Sequence, residues 1–242
     1  MKILLNLVIA LIYIGFVDAY AEENSELTAE TAEIQVSEEA KQSLTEKLKN
    51  TKVRKLKIYK FNPIKNPKGY ITLVEFNDLS CKECLLKAQE VYNKLQGDDF
   101  DGLKIIYKHI QKSPAYLANQ EAFLGFLMSD YNKFWEMKEK LTENNYETED
   151  SFIEEMLNMG IKRKDLFFNI QHNGESFYKQ VDIDSQYAAS IKGYTSPMFF
   201  IDGYRLDEDI SLQEMIEYIK LKKQEWLERK KQLEDKYKVG KL

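Results

Sequence analysis

Two apolar, β-branched runs on either side of one amphipathic helix constrain this chain more than any other feature. Tyr70–Phe76 reads as a buried strand. After Cys84, the residues Leu85, Ala88, Val91, Tyr92 and Leu95 recur at helical spacing and stop at Gly97. Leu103–Ile110 is a second strand of the buried type. Strand, helix, strand is a βαβ unit, so the two strands pair in parallel through a right-handed crossover. The fold class is therefore α/β. Pro63, Asn66, Pro67 and Gly69 punctuate a turn before the first strand.

Downstream the periodicity changes. Ala118–Met128, Phe134–Leu141, Phe152–Met159 and Leu166–Ile170 all carry helical apolar spacing, with no strand between them. This predicts a helical insertion over about 113–190, in which Phe123, Phe126, Phe134 and Trp135 are core. Met198–Ile201, an Asp202-Gly203 turn and Tyr204–Leu206 predict a hairpin. Ser211 and Glu214 form a capping box for a last helix, with Leu212, Met215, Ile216 and Ile219 on its apolar stripe. Beyond Lys220 the chain is mostly Lys, Glu and Gln, which predicts a solvated end.

Met1–Ala21 reads as a signal peptide. Lys2 supplies the positive start, Ile3–Val17 is the apolar run, and Ala19-Tyr20-Ala21 is a small-x-small cleavage signal. The run is too short for a spanning helix of about 20 residues. The expectation is a cleaved, exported protein in the periplasm, where disulfides persist. Residues 22–57 form an N-terminal extension rich in Glu, Lys, Thr and Ala. Ser37 is a plausible N-cap, and Ala40, Leu44 and Leu48 repeat four apart, with Leu27 and Ile34 extending the stripe upstream. Such a narrow stripe does not hold a short helix alone. It either frays as a linker or packs on another chain. The remainder, 58–242, is the α/β domain with its insertion.

The net charge of −5 argues against a nucleic-acid binder, and 43% hydrophobic residues are enough for a packed core. The chain has only two cysteines and two histidines. Two cysteines cannot staple a fold, and His109 and His172 have no ligand spacing to them. His109, with Lys108, ends the second strand and is placed near the surface of the active site. His172 is placed in a loop of the insertion.

The cysteines sit three apart, as Cys81-Lys82-Glu83-Cys84, at a strand-to-helix junction. The helix N-terminus offers unpaired N–H groups and the positive end of a dipole, and both stabilise an anion. A thiol of pKa about 8.5 falls to roughly 3.5–7.5 in such motifs. Cys81 is then the exposed nucleophile, and Cys84, one turn in, resolves the mixed disulfide. Glu75 lies six residues earlier inside an apolar strand. A carboxylate there is costly to bury without partner or purpose, and it is placed to take a proton from Cys84. An edge-strand acid facing water is the plainer alternative. Ser196-Pro197 enters the strand Met198–Ile201, where proline marks a special turn and a candidate cis bond beside an extended substrate.

Val74-Glu75-Phe76 followed by Cys81-x-x-Cys84, the Lys133–Met137 stretch and the Tyr194–Gly203 stretch together resemble the DsbA-like branch of the thioredoxin superfamily. The resemblance covers about 58–220. It implies a thioredoxin fold with an inserted helical domain, Cys81 as nucleophile, Cys84 as resolver, Glu75 as the buried acid and Pro197 as the cis-proline. It implies no cofactor beyond the redox-active Cys81–Cys84 pair. Strongly oxidising members resemble one another in carrying Pro-His between the cysteines. Here Lys82 favours the thiolate and Glu83 opposes it, which predicts a less oxidising couple. Ser196 before the proline supplies a hydroxyl for a sulfur or a substrate.

DsbC isomerases and the ScsC group resemble this layout in joining such domains through an N-terminal segment. That places Leu27, Ile34, Ala40, Leu44 and Leu48 at a subunit interface, with several active sites facing one cleft. The expectation is a homo-oligomeric, periplasmic thiol–disulfide oxidoreductase leaning towards isomerase. It would act on misfolded cysteine-containing proteins and be kept reduced by a membrane reductase. A DsbA-type dithiol oxidase recycled by a quinone-linked membrane protein is the alternative. A copper-handling protein that binds through soft thiolates is the alternative of another class.

Overall fold

The structure is a computed structural model that describes residues 38–111, 116–146, 148–192 and 195–239. The segment read as a signal peptide, together with Leu27, Ile34 and the expected N-cap Ser37, lies outside the described residues. The chain divides into two units, 1–49 and 50–242. The described part of the first lies within helix α1 (Glu38–Asn50), which carries Ala40, Leu44 and Leu48 four apart and has Lys47 and Lys49 in its last turn, where cations suit the helix dipole.

In the second unit, β1 (Ile64–Lys65), β2 (Ile71–Asn77), β3 (Leu103–His109), β4 (Met198–Ile201) and β5 (Tyr204–Arg205) form one sheet in the order β1-β3-β2-β4-β5. β2 and β3 are parallel, joined through helix α2 (Lys82–Lys94), as the sequence pattern requires. The other pairings are antiparallel. The β4–β5 hairpin turns on Asp202 and Gly203, with φ of 45° and 94°. That is the all-positive backbone of a tight hairpin turn. Strand β1 falls where the sequence predicts only a turn. Its two residues pair at the sheet edge with Ile105 and Ile106, a contact no local pattern announces.

The insertion contains α3 (Tyr116–Leu127), α4 (Phe134–Glu143), α5 (Glu149–Asn158) and α6 (Arg163–Ser190). Helix α7 (Leu212–Val239) is the last described element, and its first turn has the expected reciprocal Ser211–Glu214 capping bonds. Helix α6 runs twenty residues beyond the Leu166–Ile170 stripe. Its later turns bury Gln180 and Asp184 as well as Phe177 and Val181, so the apolar periodicity dissolves there. His172 therefore sits on a helix, stacked on Phe168, and not in a loop.

Side chains alternate across β2, so Leu73, Glu75 and Asn77 share one face and Val74 and Phe76 the other. Tyr107 stands beside Glu75 in register. It joins a core with Leu85 of α2 and with Phe126, Phe134, Met137, Phe152 and Phe177 of the insertion. The opposite face packs Val74, Phe76, Ile106 and Phe200 against Ala188 of α6. Here Lys108 and Asp184, both fully buried, form an ion pair. The Asn62 and Gln180 side-chain amides and the His109 backbone amide also donate to Asp184. Burial pulls both groups towards neutrality, Lys108 down and Asp184 up, and each opposes the shift of the other. Lys108 and His109 are thus interior residues, which corrects the surface placement.

Candidate active site

Glu75 lies in the central strand, bonded to β3 on one side and β4 on the other, and is fully buried. The edge-strand reading is therefore excluded. Its carboxylate has three donors. Lys138 Nζ and the Tyr92 hydroxyl reach Oε2 at 2.7 and 2.6 Å, and Asn77 Nδ2 reaches Oε1 at 2.8 Å. Burial first, then the Glu75 charge, pushes the Tyr92 phenol well above its usual value, so it stays a donor. Lys138 Nζ also lies 4.7 Å from the Tyr92 ring centre. The acid is thus the centre of a charge-compensated network.

Two residues after Glu75, β2 ends and a short turn delivers Cys81. Asp78 Oδ1 accepts from the Ser80 amide and hydroxyl at 2.9 and 2.6 Å, and the Cys81 amide donates to the Asp78 carbonyl. Such an Asx arrangement shapes the turn from one side chain. Cys81 is the N-cap of α2, and its Sγ accepts from the Cys84 amide at 3.3 Å. Cys81 is partly exposed, Cys84 is buried, and the two are joined in a disulfide. Lys82 and Glu83 face other partners. Lys82 Nζ donates to the Glu143 carbonyl at the end of α4, and Glu83 pairs with Lys87 one turn along α2.

The Ser196–Pro197 bond is cis. Ser196 is buried, and its hydroxyl points inward. It donates to Asn77 Oδ1 at 2.7 Å and accepts from the Asp78 amide at 3.2 Å. The hydroxyl expected to meet a substrate is thus engaged inside the protein. A cavity of about 440 Å³ opens on the outer side of this loop, lined by Lys87 and Val91 of α2, Thr195–Phe199 and Arg205–Glu208. Its rim mixes cations, carboxylates and apolar atoms around Pro197.

The structure brings Cys81, Cys84, Glu75, Ser196 and Pro197 together. Asn77, Asp78, Tyr92 and Lys138 belong to the same assembly and escape the sequence reading. For Lys138 a signal exists: Phe134, Met137 and Leu141 place position 138 on the buried face of α4. Nearby, His109 is buried with neither ring nitrogen hydrogen-bonded. Burial lowers its pKa to about 4, against the pull of Asp78. Glu121 on α3 is raised to about 7 by burial and then by Asp78. Among the described residues, no group of three or more His, Cys, Asp or Glu is arranged to hold a metal ion. Among them, too, no helix is long and apolar enough to cross a membrane.

No family model matches the chain. Disulfide bond formation protein D of Bacillus subtilis (strain 168) is 25% identical over 146 residues. The match covers 54% of this chain and 63% of that protein, so it spans less than two thirds of the relative. The crystal structure of oxidised BdbD from Bacillus subtilis superposes with a TM-score of 0.54 at 22% identity, over 70% of this chain and 97% of that one. The thiol-disulfide exchange protein alpha-DsbA2 from Wolbachia pipientis gives 0.52 at 15% identity, over 78% and 96%. The fold is that of the DsbA-like branch of the thioredoxin superfamily. In this DsbA-like fold the sheet supplies Glu75 and Asn77, α2 presents the cysteines, and the insertion supplies Lys138. The β4 entry supplies Ser196 and Pro197.

Proposed function

We propose that the chain is an exported thiol–disulfide oxidoreductase that exchanges disulfides with cysteine-containing proteins through Cys81 and Cys84. The observation that carries this reading is the pairing of a partly exposed Cys81 at the start of α2 with a buried Cys84 beside the Glu75 network. In the oxidised protein, a substrate thiolate attacks Cys81 Sγ, the Cys81–Cys84 bond breaks, and Cys84 leaves as a thiolate that takes up a proton. A second substrate thiolate then attacks the substrate sulfur of the mixed disulfide and releases Cys81. The substrate loses two electrons and the cysteine pair gains them. In the reduced protein the steps reverse: Cys81 attacks a substrate disulfide, and Cys84 or a substrate thiol resolves the adduct. Glu75 receives or supplies the Cys84 proton.

Two observations bear on direction. The similarity to a disulfide bond formation protein of Bacillus subtilis supports oxidation. Lys82 and Glu83 sum to zero charge between the cysteines and each is engaged with another partner, which supports the milder couple of an isomerase. Equilibration with glutathione buffers tests both. A potential near −120 mV marks a strong oxidant and one near −180 mV an exchange catalyst, whereas a couple that does not cycle overturns the proposal. Localisation in the periplasm, a membrane redox partner, and an oligomer through Ala40, Leu44 and Leu48 belong to the same proposal. Sedimentation of the chain with and without residues 22–57 reports the oligomer.

A further inference from the structure

Asn77 is fully buried, and its side-chain amide has every hydrogen-bonding position filled. Nδ2 donates to Glu75 Oε1 at 2.8 Å and to the Cys84 carbonyl at 3.4 Å. Oδ1 accepts from the Ser196 hydroxyl at 2.7 Å and from the Asp78 amide at 2.9 Å. Two donors and two acceptor sites are all that an amide has. Its orientation is forced as well. The Asp78 N–H can only donate and the Cys84 carbonyl can only accept, so Oδ1 faces the first and Nδ2 the second. The Ser196 hydroxyl is fixed in turn, because its oxygen already accepts from the Asp78 amide and its proton goes to Asn77.

We infer that Asn77 is a positioning residue that couples the loop before Pro197 to the acid serving Cys84. The amide is a rigid plane, so a displacement of Ser196 at its oxygen end is felt at its nitrogen end, by Glu75 and the Cys84 carbonyl. A substrate that docks along the cis-proline loop thereby sets the carboxylate for the proton transfer at Cys84. The inference rests on the reading of Cys81 and Cys84 as a redox couple and adds a regulation of its second half. The other groups facing Glu75 are Lys138 from α4, Tyr92 from α2 and Tyr107 from β3. Among the described residues, Asn77 is the one that hydrogen-bonds both the acid and the loop before Pro197.

The test separates the two halves with oxidised glutathione as the probe. Cys81 thiolate attacks the probe, forming a Cys81–glutathione disulfide and releasing one glutathione. Cys84 then attacks Cys81 Sγ, forming the Cys81–Cys84 bond and releasing the second glutathione, while its proton passes to Glu75. Acid quenching followed by mass measurement times each step in the full chain, across pH. Ser196→Ala removes one hydroxyl and leaves the fold's core untouched. Asn77→Asp puts a second carboxylate against Glu75 and removes both amide donors. In both variants the second step is expected to slow about tenfold, while the first changes less than twofold. In Asn77→Asp the pH profile of the second step also moves to higher pH. A second step with wild-type rate and pH profile in both variants overturns the coupling. Failure of the wild-type chain to form the Cys81 adduct contradicts the redox couple instead.

Discussion

Lys138 donates to Glu75 Oε2 across 2.7 Å, although the two residues stand 63 positions apart and belong to different parts of the fold. Helix α4 of the insertion thus neutralises the acid on the central strand. A buried pair that loses one partner leaves an uncompensated charge, at a cost of about 3–5 kcal/mol. Lys138→Met is therefore expected to lower the unfolding free energy by about that amount in urea titrations. Adding Glu75→Gln to Lys138→Met should recover most of the loss, because a neutral amide needs no counter-charge. A double variant as unstable as the single one contradicts the pairing.

The pH dependence of stability carries two opposed contributions. The His109 imidazole gains a proton at about pH 4 in the folded chain, against an ordinary value of 6.5. Between these values the unfolded chain binds more protons, so stability falls as pH drops from 6.5 towards 4. Glu121 holds its proton to about pH 7, against an ordinary value of 4.5. There the folded chain binds more protons, so stability falls as pH rises from 4.5 to 7. Glu121→Gln is expected to gain stability relative to wild type as pH rises through that window, and His109→Phe relative to wild type as pH falls below 6.5. Chemical denaturation at several pH values reads both. Differences from wild type that stay flat across pH contradict these assignments.

The βαβ unit, the Asp202-Gly203 hairpin and the Ser211–Glu214 cap were legible because each is written in neighbouring residues. Strand β1 was not, since two residues among prolines and glycines gain strand character only from pairing with Ile105 and Ile106. The second half of α6 was hidden for a related reason. Asp184 and Gln180 look solvent-facing in sequence, yet they point inward to Lys108 and to each other. Within the site, Cys81, Cys84, Glu75 and Pro197 have local signatures. Asn77 and Lys138 act through partners that only the tertiary fold supplies.

The hairpin turn offers a sharper mutational test. Gly203 has φ of 94°, and a Cβ there would stand 2.4 Å from the Arg54 carbonyl oxygen. Gly203→Ala is expected to destabilise by about 1–3 kcal/mol, measured by thermal or urea unfolding. Alanine at the exposed Leu233 serves as the control and should change stability by less than about 0.5 kcal/mol. Equal effects at the two positions contradict the strained turn.

The division of labour between the two cysteines is the central claim, and covalent capture of a scrambled multi-disulfide protein tests it most directly. Reduced Cys84→Ala should accumulate a mixed disulfide through Cys81, seen by non-reducing mass measurement, because the resolving thiol is gone. Reduced Cys81→Ala should capture little, because Cys84 is buried. Equal capture through Cys84, or no adduct with either variant, contradicts the account.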